Sequence, residues 1–187
     1  VTLNITYTMG STNTATLNPS TTALTLPFPI GPDPGQGGDV TFDASAIPAG
    51  SVVTNVTLQT TFGHDWAGDV LLYLESPTGT SIAVIDDANL LSDNFGTSNG
   101  TVSGNYTFSD AASAAVTNIP GVDMDIPSGT YKPDEALSAF IGENPIGTWT
   151  LHVDDAASPD GGQFDAATLN ITYIAPGTPS SVTWWNA

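Results

Sequence analysis

The 187-residue chain contains no cysteine and one cation, Lys132. Without cysteine the fold cannot rest on disulfides or thiolate metal sites, and cysteine usage says nothing about the redox compartment. With no arginine and one lysine there is nothing to neutralise phosphates, which excludes nucleic-acid binding. The same repulsion disfavours anionic membrane surfaces. No run approaches the roughly 20 apolar residues of a spanning helix, so no membrane insertion is expected. Residues 1–20 are polar and Thr-rich, so a signal peptide, if the protein has one, lies outside this sequence.

Acid is what the chain has instead. Nineteen carboxylates set a formal net charge of −18, and glutamate occurs only at Glu75, Glu135 and Glu143. Short aspartates in glycine-rich turns are the usual oxygen ligands of calcium, while the remaining acids read as a solvated surface. Such a surface argues for a monomer at low salt. With 19 glycines, 14 prolines, abundant threonine and few lysines or glutamates, the composition favours short strands and many turns over helices. Low lysine with abundant Thr and Asn points to a secreted or cell-surface protein.

Strand-like runs recur at Val1–Thr8, Thr22–Leu26, Asp39–Phe42, Val52–Phe62, Asp69–Glu75, Ser81–Ile85, Asn105–Phe108, Thr148–Asp154 and Thr168–Ile174. Alternation in Val52–Phe62 puts Val52, Thr54, Val56, Leu58 and Thr60 on one face. Turn signals such as "PIGPDPGQGG" (29–38), "SPTGT" (76–80) and "SPDGG" (158–162) separate the runs. Many short strands so punctuated read as an all-β sandwich or jelly roll. One helical turn is expected in "PDEALSAFI" (133–141), with Leu137, Phe140 and Ile141 at core spacing.

"TLNITY" occurs at 2–7 and again at 168–173. Either two strands of one domain match, or the chain opens with the last strand of an upstream copy; we favour the second. The expected division is therefore 1–38, a strand and loop; 39–174, the sandwich; and 175–187, a linker and the start of a following module.

The stretch "FGHDWAGDVLLYLESPTGTSIAVI" (62–85) resembles the central hairpin of the P domain, the module that follows the catalytic domain in kexin- and furin-like proprotein convertases. The shared pattern is His64, Gly68-Asp69, an apolar strand, then Ser76-Pro77-Thr78-Gly79-Thr80. "YKPDEALSAFIGENPIGTWTLHVDD" (131–155) resembles the second signature of that family. "YTFSDAASAA" (106–115) and "GGQFDAATLNITY" (161–173) fit the intervening segment and the closing strand, with Ala167 where a tryptophan is usual and Phe164 where a leucine is usual. The resemblance implies a jelly-roll-like antiparallel β-sandwich of about eight strands. It also implies a non-catalytic partner module that stabilises neighbouring domains, such as a subtilisin-like protease.

The residues give no catalytic constellation. His64 and His152 are the only histidines, neither adjoins a nucleophile-elbow motif, and a cysteine nucleophile is absent. Two histidines do not make a zinc site unless carboxylates complete it. His152 alternates with Trp149, Leu151 and Val153 and reads as a half-exposed strand histidine. His64 reads as a structural histidine that bonds backbone and orients the turn to Asp69.

No EF-hand loop is present, so calcium would gather acids from separate loops. The candidate metal ligands are Asp65, Asp69, Asp110, Asp154, Asp155 and Asp160. A second cluster is Asp86, Asp87 and Asp93, with Asn89 and Asn94 nearby, and a third is Asp123 and Asp125. Five Asn-x-Thr sequons carry no assigned role. The expected function is a calcium-stabilised, non-enzymatic module of a secreted multidomain protein. The alternative is an adhesin-like module that binds carbohydrate or protein through the loop aromatics Trp66 and Tyr131.

Overall fold

The structure, a computed structural model, describes residues 2–20, 25–86, 94–95, 103–115 and 125–185. Within them the chain forms β1 (Thr2–Thr8), β2 (Ser11–Leu17), β3 (Phe28–Ile30), β4 (Gly38–Asp43), β5 (Val52–His64), β6 (Val70–Glu75) and β7 (Ser81–Ile85). There follow β8 (Asn94–Phe95), β9 (Gly104–Phe108), β10 (Asp125–Ile126), β11 (Gly129–Tyr131), β12 (Thr148–Asp155), β13 (Gly162–Ala175) and β14 (Pro179–Trp185). The expected all-β architecture holds, and no described helix is long and apolar enough to cross a membrane. Most of the expected run 22–26 lies outside the described residues.

Two sheets face each other. In the larger, β13 pairs antiparallel with β5 on one side and with β2 and β3 on the other; β5 carries β9 and β8 on its far edge. The smaller is antiparallel in the order β4-β12-β6-β7. β1 and β14 form a separate two-stranded ribbon. The two "TLNITY" copies therefore lie in different sheets: the first in the ribbon, the second at the centre of the large sheet.

Strand register explains the core. Phe164 stands opposite Phe62 on one side and Phe28 on the other, so the rings form a row with centroids 5.4 and 5.9 Å apart. Tyr106 extends it at 5.0 Å from Phe62. From the smaller sheet, Trp149, Leu151 and Val153 of β12 and Leu72 and Leu74 of β6 complete one apolar cluster. Trp149 is fully buried, meets Phe140 edge-on at 5.0 Å, and donates its Nε1–H to Pro145 O at 2.9 Å. That bond satisfies the indole's only donor, so burial carries no unpaired polar group. "GENPIGTW" is thus a scaffold hairpin.

Three expectations change. The simple alternation in Val52–Phe62 fails at its start: Val53 is buried and Val52 is 42 % exposed. The register with β13 skips Thr54, between Tyr173↔Val53 and Thr172↔Asn55, and a bulge of this kind flips every residue before it to the other face. Ile141 is exposed, because the helical turn is a single 3-10 turn, Leu137–Phe140, and only Leu137 and Phe140 point inward. Segment 1–38 is more than a leading strand and loop. β2 and β3 both pair with β13, and Phe28 and Ile30 are core residues.

The bulge is testable by chemical denaturation. Val53→Ala is expected to cost about 2 kcal/mol as a core truncation, and Val52→Ala to stay within about 0.5 kcal/mol. Equal costs would place the bulge elsewhere.

Candidate functional site

His64 ends β5, and its register partner on β13 is Gly162, which on its other side faces Ile30 of β3. A side chain at Gly162 would collide with the Gly63 carbonyl and the His64 backbone, so the strands close tightly here only because residue 162 is glycine. Three loops meet at this end of the sandwich. Asp65 N donates to Gly161 O at 3.1 Å, Ala156 N to Asp69 O at 2.8 Å, and Gly35 N to Asp155 O at 2.9 Å.

The His64 ring is wholly buried. Its Nδ1 lies 2.8 Å from Trp66 O and 3.1 Å from Trp66 N, so backbone fixes the imidazole, as expected of a structural histidine. Its Nε2 lies 3.4 Å from Asp155 Oδ2. That distance is within ion-pair range but long for a hydrogen bond, and neither atom has a hydrogen-bond partner. Asp155 is 1 % exposed; its Oδ1 accepts from Ala157 N at 2.9 Å. Asp65 Oδ1 in the same turn is also buried without a partner. Asp69 is held above the usual carboxylate range, first by burial and then by the charges of Asp155 and Asp160, with His64 opposing.

Gly31 packs against this group. A Cβ there would come 2.0 Å from Asp155 Oδ2 and 2.7 Å from Asp160 O, and its φ of +75° suits glycine. Asp155 Oδ2 and the Asp160 carbonyl therefore face one small space. The turn signal at 29–38 contains Gly31 but gave no sign of this packing, since the residue sits in the loop after β3, outside the resemblance.

Of the six aspartates expected as metal ligands, Asp65, Asp69, Asp155 and Asp160 contribute to the turns that meet here, with Asp69 in the field of Asp155 and Asp160. Asp154 does not. Adjacent strand residues face opposite ways, and Asp154 Oδ1 instead accepts from Asp155 N at 2.8 Å. Asp110 does not either. Its two oxygens accept from Leu137 N and Ser138 N at 2.9 and 2.8 Å, capping the 3-10 turn. Of the second cluster, Asp87 and Asp93 lie outside the described residues. Asp86 accepts from the Tyr73 hydroxyl, which with burial raises the Tyr73 pKa to about 12. Asp123 is outside as well, while Asp125 belongs to β10. Among the described residues, no three carboxylate or imidazole side chains converge closely enough to hold a metal by themselves.

The aromatics part company. Trp66 is 37 % exposed in the turn after β5. Tyr131 is buried beside Tyr106 and donates to Pro127 O at 2.7 Å, so it presents no face to a ligand. Tyr106 of the neighbouring strand β9, tilted against it at 6.4 Å and invisible in a local reading, helps cover it.

His152 lies on the outer face of β12. Its Nδ1 is 2.7 Å from Asp39 Oδ1 on β4, and its Nε2 is 3.3 Å from Glu75 Oε2 on β6. Among the described residues, neither histidine is paired with a hydroxyl nucleophile. A family model for the proprotein convertase P-domain matches residues 53–171, more than half of the chain. The chain belongs to the P-domain family. In proprotein convertases the P domain is a non-catalytic accessory module. The match spans both acidic turns, His64–Asp69 and Asp155–Asp160, but not Gly31.

Two solved structures resemble this P domain. One is the crystal structure of a serine protease of Aeromonas sobria, with TM-score 0.45 and 15% identity, covering 92% of this chain and 27% of that one. The other is the same protease in complex with its chaperone, with TM-score 0.45 and 14% identity, covering 94% of this chain and 27% of that one. This chain thus spans about a quarter of each relative's length. No curated protein matches it.

Burial pulls the His152 pKa down, but hydrogen bonds and charge from Asp39 and Glu75 outweigh it and hold the pKa above the usual value. A raised folded-state pKa means the interaction is fully present below about pH 6.5 and is lost as pH rises through the folded value. The stability difference between wild type and His152→Gln is therefore expected to shrink from pH 6 to pH 9. It should stay under about 1 kcal/mol because the side chain is 39% exposed. A pH-independent difference in paired urea titrations would contradict the assignment.

Proposed function

We propose that this P domain is a non-catalytic accessory module of a secreted multidomain protein, and that it stabilises or positions neighbouring domains such as a subtilisin-like protease. Family membership over residues 53–171 is the observation that carries the reading. The histidines support it. The His64 ring is walled in by Trp66 backbone and Asp155, and both His152 nitrogens face carboxylates. Among the described residues, neither is poised as a general base beside a nucleophile. Calorimetry of the longer polypeptide, intact and cleaved in the linker, tests this. The neighbouring domain is expected to melt lower once separated; an unchanged transition would refute the reading.

Calcium stabilisation is part of the proposal. What supports it is a pair of buried carboxylate oxygens, on Asp65 and Asp155, that no protein hydrogen bond satisfies. A buried acceptor left alone costs about 1–3 kcal/mol, more if charged, and a cation removes that cost. At 100 times its dissociation constant, calcium should add about 2.7 kcal/mol. Magnesium should not match it, because it demands tight octahedral geometry and dehydrates reluctantly. Equal melting in calcium and in chelator, at fixed ionic strength, would remove calcium from the proposal.

A second reading, an adhesin-like module for carbohydrate or protein, keeps only Trp66, whose partial exposure leaves an aromatic face for a sugar ring. Loss of glycan-array binding in Trp66→Ala would favour it.

A further inference from the structure

We infer that the β1–β14 ribbon is an exchangeable junction through which two copies of this chain form a dimer, β1 of each pairing with β14 of the other. The sequence repeat and the strand register carry this together. Each copy of "TLNITY" is followed across a short link by another strand: β1 by β2 across Met9–Gly10, and β13 by β14 across residues 176–178. Neither pairs with the strand that follows it. β13 pairs with β2, and β1 pairs with β14. The two ladders are in equivalent register. Leu169 is opposite Leu17 as Leu3 is opposite Trp184, Ile171 is opposite Ala15 as Ile5 is opposite Val182, and Thr172 is opposite Thr14 as Thr6 is opposite Ser181.

The ladder of β13 and β2 belongs to the large sheet, so the body from β2 to β13 is complete without the ribbon. Among the described strands, β1 pairs only with β14 and β14 only with β1. Two strands alone are marginally stable in water, and the register partners Ile5 and Val182 remain 46 % and 39 % exposed. Closing the ribbon within one chain also crowds the two links. A Cβ on Gly177 would lie 1.7 Å from Met9 O, and one on Gly10 would lie 2.4 Å from Ile174 Cγ2 and 2.8 Å from Ala175 O. A short, crowded hinge beside a separable strand favours exchange, because the same ladder forms between copies and the two links of one chain then need not pass each other. Reciprocal exchange gives a closed two-fold dimer that leaves neither strand unpaired. β1 and β14 contain no charged residue, so the ladder itself sets up no repulsion. The net charge of −18 on each chain opposes the dimer and is screened by salt.

The test is a disulfide across the ladder, which is unambiguous in a chain without cysteine. Asn4 and Thr183 are exposed register partners. Asn4→Cys and Thr183→Cys are made in separate full-length chains, mixed at high protein and salt concentration, incubated and oxidised. They are expected to give a dimer whose mapped disulfide joins positions 4 and 183. With Ser181→Cys in place of Thr183→Cys that dimer should be lost, since position 181 lies about 7 Å further along the strand, beyond disulfide reach. Sedimentation of the wild-type chain should show a dimer fraction that rises with protein and with salt. Gly177→Ala, which puts a methyl group between the crowded links, should raise that fraction further. If Gly177→Ala does not fold, the disulfide pair carries the test. No cross-link between positions 4 and 183 of different chains, or an equal yield from the Ser181→Cys control, would overturn the exchange. A dimer fraction unchanged or lowered in folded Gly177→Ala would overturn the role of the crowded links.

Discussion

Twelve register pairs tie β5 to β13, and the positions of the other elements follow from that ladder. It sets Phe62 against Phe164, and the aromatic row crosses the large sheet from there. Two residues further on it sets His64 against Gly162. Because residue 162 has no side chain, the strands approach closely and the three loops beyond them are drawn into one place. The bulges in the ladder matter as much as its regular part. The shift near Asp165 lets Phe164 and Ala167 both face inward, and the shift at Thr54 turns Val53 into the core.

A second constraint comes from charge. With one lysine, no arginine and two histidines, few carboxylates can find cationic partners, yet many are not simply solvated. They accept from backbone N–H groups instead. Asp110 caps the 3-10 turn, Asp43 binds Ser45 N, Asp134 binds Asp86 N, and Glu135 binds Ala83 N. Glu143 accepts from the Thr80 hydroxyl, and hydroxyls of the Ser76–Thr80 turn hold its pKa below the usual value despite burial. These bonds tie turns to strands in a chain without disulfides. At the end of the sandwich near His64, Asp155 is only half served in this way: its Oδ1 accepts from Ala157 N, while its Oδ2 has no hydrogen bond and lies 3.4 Å from the His64 ring.

The relation of this site to function is architectural. It lies inside the family match but packs against Gly31, which opens the loop after β3, outside the match. The family core and the leading segment are therefore structurally interdependent at this point. The backbone of Trp66, the one partly exposed aromatic of the turn, is held by the His64 ring nitrogen Nδ1. Whatever orders the turn also sets the attitude of the tryptophan.

Sequence alone determined what depends on local chemistry. Alternating Thr and apolar residues with glycine- and proline-rich turns made the chain all-β. "SPTGT" and "GENPIGTW" marked hairpins, the alternation around Trp149 assigned His152 to the outer face, and two ordered signatures disclosed the family. It also put Asp65, Asp69, Asp155 and Asp160 among the candidates, because short acids in turns are what calcium uses. Tertiary structure alone decided which of the candidates meet. Asp110 and Asp155 look alike in sequence, but one is saturated by two backbone donors and the other is buried beside an imidazole at 3.4 Å. Tyr131 was an exposed aromatic until a neighbouring ring covered it, and Gly31 had no local signal because its importance is the carboxylate lying against it. The physical reason is the same in each case. Turn propensity and strand period are set within a few residues, whereas burial and electrostatic partnership are set by residues far apart in the chain, as Gly31 is from Asp155 and Tyr131 from Tyr106.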